Sequence, residues 1–95
     1  MTHSYPEILT LKQAAEILQS VLEERQKLHG RDAIDVASTL HDLAQVNHRC
    51  GLYVPAGAFF REALAIRRRC LDPPHAELVA SLSGYGSFLE NKGDY

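Results

Sequence analysis

Histidine, cysteine, serine and glycine are the side chains whose spacing in this chain could support chemistry, and geometry limits each arrangement. His41 and His48 stand seven residues apart. On a helix that spacing is about 10.5 Å along the axis, beyond the reach of a single ion, whose helical ligands sit three or four residues apart. Cys50 follows His48 by two positions, which puts the pair on different sides of a helix. The pattern predicts no metal and no cofactor. Ser38 and His41, at i and i+3, could touch, but no third group orients the imidazole and no oxyanion donors accompany them. Gly84-Tyr85-Gly86 is too short for GxGxxG or GxxxxGK and falls inside a helical stretch. No catalytic residue is assigned, and the chain is read as not an enzyme.

Composition narrows the remaining classes. Ninety-five residues allow one small domain, 1–95, with 45% hydrophobic and 23% charged residues and a net charge of −2. Ten basic residues against twelve acidic ones give no electrostatic footprint for nucleic acid. The one basic cluster, Arg67-Arg68-Arg69, reads as a solvated helix end beside terminal carbonyls. Two cysteines, Cys50 and Cys70, lack CxxC spacing and read as reduced, partly buried thiols acting as small hydrophobes. The first 30 residues lack a basic n-region followed by an apolar run, so no signal peptide is expected, and no apolar run nears the ~18 residues of a membrane span. These features predict a cytoplasmic protein with no membrane or nucleic-acid partner.

The elements that must position the polar residues are helical. Ser4, Pro6 and Glu7 form a start signal, and apolar residues from Ile8 to Leu28 recur at helical spacing, predicting a helix over 8–29 closed by Gly30. A second helix is predicted over 34–50, closed by Gly51, and a third over 55–70 with Pro55 in its first turn. Asp72-Pro73-Pro74 breaks the chain before a fourth helix at 76–92. Gly84 and Gly86 inside that helix each cost about 1 kcal/mol against alanine. Close helix packing accounts for Gly86; Gly84 has no packing role in this reading. No segment alternates with period two, so no sheet is expected.

Sliding the chain by 42 residues aligns Gly51-Leu52-Tyr53 with Gly93-Asp94-Tyr95, Ala14 with Ala56, Arg25 with Arg67 and Leu40 with Leu82, without a gap. Such a period marks a stacked helical repeat. Leu40, Leu43-Ala44, Gly51, Tyr53, Ala56, Phe60 and Ala63-Leu64 resemble the tetratricopeptide repeat, in the 42-residue kinesin-light-chain type. Leu82, Tyr85-Gly86, Gly93 and Tyr95 begin a second pass. The segments HGRDAIDVASTL and LDPPHAELVASL resemble that type's connecting loop. Asn47 departs from the pattern, standing where an aromatic residue is usual.

The resemblance implies an all-α, right-handed α–α superhelix of antiparallel helix pairs, with one complete repeat (36–70) between two half repeats. Leu18, Leu40, Phe60, Leu64 and Leu82 are expected to fill the space between stacked helices. It further implies a non-catalytic interaction module whose concave groove takes a partner peptide or protein. Ser38, His41, Asp42, Gln45, His48 and Arg49 would line it from the complete repeat, and Ser83, Ser87, Glu90 and Asn91 from the last helix. Asp42 and Gly84 stand where carboxylate-clamping members carry asparagine, so that clamp is not expected; the Asn-Asn pair common in the kinesin-light-chain type is His41-Asp42 here. Two alternatives accompany this reading. The chain could be a self-associating, homodimeric scaffold working through an uncovered face that includes Tyr85, Phe88 and Leu89. It could also be the opening part of a longer array joined to an effector domain.

Overall fold

The computed structural model describes residues 7–72 and 75–92, with side chains from Thr10 to Glu90. The expected start at Ser4 and Pro6, the Pro73-Pro74 break and the second-pass Gly93 and Tyr95 lie outside the described residues. Helices α1 (Glu7–His29), α2 (Ile34–Arg49), α3 (Tyr53–Cys70) and α4 (Ala76–Lys92) follow one another, and no strand occurs among the described residues. The fold is all-α, of the tetratricopeptide-like helix-pair kind. Each helix packs on its neighbours in sequence, and α2 also meets α4.

Local chemistry sets the helix ends. Gly51 takes φ +82°. Its amide donates to the His48 carbonyl at 3.0 Å, and the Leu52 amide donates to Asn47 at 2.8 Å, a complete Schellman closure of α2. Gly30, at φ +92°, closes α1 by donating to the Gln26 carbonyl at 3.0 Å. α3 starts at Tyr53, two residues before the expected position, because Pro55 is accepted at the third helical place, where the amide still has no carbonyl partner. His75 Nδ1 accepts the Glu77 amide at 3.2 Å and so caps α4.

α2 shows what a helix in the middle of the stack requires. Val36, Thr39 and Leu43 form one buried stripe, and Ala37, Leu40, Ala44 and Asn47 form a second, one position further round. Asn47 lies within the second because its Nδ2 donates to the Leu43 carbonyl at 2.8 Å, which satisfies the amide locally.

α4 buries only the first of the two equivalent stripes. Leu78, Ser81 and Phe88 are buried there, with Tyr85 half-buried beside them. Phe88 is 2% exposed, its ring centroid 5.5 Å from that of Phe60 and 6.2 Å from that of Tyr85. It therefore belongs to the core and not to an uncovered face. The second stripe faces outward: Leu82 is 45% exposed and Leu89 48%. Leu82 accordingly does not fill an inter-helix space. The two stripes differ by about 100° of rotation, and the aromatic cluster on α3 selects the one carrying Phe88.

A recurring arginine contact carries the 42-residue register into three dimensions. Arg25 Nη1 donates to the Asp35 carbonyl at 3.2 Å and to Thr39 Oγ1 at 2.8 Å. Arg67 Nη1 donates to the Glu77 carbonyl at 3.2 Å and to Ser81 Oγ at 2.7 Å. Each guanidinium reaches from one helix into the first turns of the next, its Nη1 donating to two acceptors at once. Arg67 is only 5% exposed, so the arginine run is not uniformly solvated. Arg69 instead pairs with Asp32 at 3.0 Å, and Arg68 is exposed. Cys50 is half-buried and Cys70 exposed, and both are free thiols.

Candidate partner-binding cleft

The direct meeting of α2 and α4 leaves a cleft of about 870 Å³, within the range of sites that hold ligands. α2 contributes His41, Asp42, Gln45, His48 and Arg49, and α4 contributes Ser83 and Ser87. These are the expected groove residues, brought to one surface because they recur every three or four positions on helices lying side by side. Ser38 does not line the cleft: its hydroxyl accepts from Arg67 Nη2 at 3.4 Å. Glu90 is exposed outside it, and the side chain of Asn91 lies outside the described residues.

Leu18, Val46, Phe60, Ala80 and Gly84 complete the lining. Leu18 and Phe60 were expected in the core, Val46 and Ala80 had no expected part in the groove, and Gly84 was expected there only as the residue standing where clamp members carry asparagine. Gly84 was the available signal, a helical glycine lacking a packing role. A Cβ at Gly84 would lie 2.9 Å from His41 Cε1 and 3.2 Å from Phe60 Cε1. Gly84 is thus the residue that lets α4 approach α2. Gly86 has nothing within 4 Å of its equivalent position, which reverses the expected roles of the two glycines.

His41 is the most constrained polar side chain of the cleft. Its ring meets Phe60 edge-on at 5.7 Å, and its Nδ1 is buried without a hydrogen-bond partner. Burial, followed by the nearby Arg67 charge, pulls its pKa below the ordinary value of 6.5, while Asp42 opposes the shift. His48 is held by rings as well, edge-on to Tyr53 at 5.8 Å and to Phe88 at 5.2 Å. Two histidines expected as freely presented groove residues therefore also act as walls.

The sign of the His41 shift gives a pH dependence. Unfolding raises its proton affinity, so stability is complete above pH 6.5 and falls as pH drops from there through the lowered native value. Gly84→Ala should push the ring toward solvent and return its pKa toward 6.5, read by NMR titration of the imidazole. An unchanged titration in that variant would contradict the wedge geometry.

No group of three or more His, Cys, Asp or Glu side chains is placed to hold a metal among the described residues. Nor is any described helix long and apolar enough to cross a membrane. What the cleft offers is hydrogen-bonding groups along its length above apolar and aromatic walls. The family model of the tetratricopeptide repeat matches residues 10–69, which takes in α2 and most of α1 and α3. No curated protein matches the chain.

Proposed function

The chain belongs to the tetratricopeptide-repeat family, whose repeats are generally non-catalytic scaffolds for protein–protein contact, and from that premise we propose that the α2–α4 cleft holds a segment of a partner protein. The observation that carries this reading is the composition of the cleft. Asp42, Gln45, Ser83 and Ser87 are exposed along it, while half-buried Leu18 and Val46 supply apolar surface. Groups of both kinds suit an extended or helical peptide, which presents backbone polar groups and side chains together.

The 42-residue register and the two related connecting segments support the kinesin-light-chain type within the family. The two free thiols fit work in a reducing compartment, and we assign the chain to the cytoplasm.

A random peptide display library screened against the whole chain tests the reading. Ser87→Trp would fill the cleft with an indole, and selected peptides should bind it at least about tenfold more weakly, a loss of roughly 1.4 kcal/mol. Glu62→Ala, at an exposed α3 position away from the cleft, should leave binding unchanged. Peptides that bind Ser87→Trp as tightly as the parent would place recognition elsewhere.

A further inference from the structure

The outward stripe of α4 has a counterpart within the same molecule. Moving 42 residues back, Val79, Leu82, Gly86 and Leu89 fall on Ala37, Leu40, Ala44 and Asn47 of α2. Those α2 residues are all buried, and α3 is the helix that follows them, with Ala56, Phe60, Ala63 and Ile66 in the shared clusters. Among the described residues nothing equivalent covers α4. The same translation places Ala14, Leu18, Val21 and Glu24 of α1 on Ala56, Phe60, Ala63 and Ile66 of α3, and Ile17 on Phe59. Phe59 is partly buried against both core clusters, whereas Ile17, in its place, is 65% exposed.

One chain thus presents both halves of a joint that it already builds once, between α2 and α3. We propose that α4 of one copy takes α1 of a second copy in the way α2 takes α3, joining copies head to tail. Gly86 leaves room for the approach, as Ala44 does in the internal joint. The incoming copy needs no rearrangement, since its Arg25 already bonds its own Asp35 carbonyl and Thr39 as Arg67 bonds Glu77 and Ser81. One edge of the joint is polar: Glu24 replaces Ile66, and His75 takes the place of Ala33, which packs against the cluster containing Ile66. Because the two surfaces differ, the association is heterologous and can propagate.

Light scattering after size exclusion, over micromolar to millimolar concentration, reads the joint directly. The mass should rise above 10.6 kDa with concentration. Leu82→Glu and Ile17→Glu alter exposed positions and should fold, each remaining a monomer by itself. Mixed in equal amounts they should yield a species of about twice 10.6 kDa, because each retains the surface the other has lost. A parent chain that stays monomeric throughout overturns the proposal. So does an Ile17→Glu variant that still dimerises alone, which would mean that α4 pairs with α4. Neither residue lies on the surface of α2 and α4 that Ser87→Trp obstructs, so selected peptides should still bind both variants whatever their mass.

Discussion

Arg67→Ala should lower the unfolding free energy by roughly 2–4 kcal/mol, the range for removing a buried charged hydrogen-bond donor together with its packed stem. Ser81, at 1% exposure, and the Glu77 carbonyl would lose a guanidinium donor at 2.7 and 3.2 Å. Arg67→Lys should restore little, since one ammonium cannot reach Glu77 and Ser81 as Nη1 does and Ser38 as Nη2 does. Arg67→Met should recover part of the loss, because it refills the stem without a buried charge. The matching change Arg25→Ala should cost no more than about 1 kcal/mol, as the Arg25 side chain is 41% exposed. Urea unfolding of the four variants measures all of this. An Arg67→Ala midpoint indistinguishable from the parent would show that the contact contributes nothing net. His41 supplies a second readout: without the Arg67 charge its pKa should move up toward 6.5.

Phe88→Glu should cost more still, on the order of 4–5 kcal/mol, by adding a carboxylate without partners to the loss of a buried ring. A Cβ at Gly57 would stand only 3.2 Å from the Phe88 ring, and the Phe60 and His48 rings lie beside it. The ring is the main apolar anchor of α4, which otherwise touches α3 and a short part of α2. Domains of this size have about 5–15 kcal/mol to lose. α4 should therefore detach while α1 to α3 remain helical, a partial fall in helical circular dichroism with early loss of α4 amide protection. Leu89→Glu, on the outward stripe, should leave both signals near those of the parent. Full α4 protection in Phe88→Glu would contradict the packing described.

The different fates of Phe88 and Leu89 show where the sequence is readable and where it is not. Helix existence was legible because apolar residues recur at helical spacing and glycine marks the ends, as at Gly30 and Gly51, whereas Pro55 put the start of α3 two residues late. The register was legible too, and the slide pairing Arg25 with Arg67 already contained the arginine contact, although its carbonyl and hydroxyl acceptors were not visible. The direction of α4 was harder. Its two adjacent stripes are both apolar, and only the Phe60 and Tyr85 rings decide which of them is buried. Gly84 and Gly86 exchanged roles for the same reason. Gly86 sits on a stripe that nothing covers among the described residues, and Gly84 lies against a histidine that periodicity had assigned to the groove surface.

The groove itself was legible as a helix face, since residues three and four apart must share one side. Its depth was not. His41 and His48 are built into aromatic contacts that depend on chain segments remote in sequence, and Phe60 is at once a core residue and a wall of the cleft.

Amide chemical-shift mapping during titration with a library-selected peptide tests the central claim most directly. The largest changes should fall on Asp42, Gln45, Ser83 and Ser87, with the His41 imidazole shifting alongside them. Changes concentrated on Val79, Leu82 and Leu89, with the α2 surface silent, would contradict the cleft as the site of recognition.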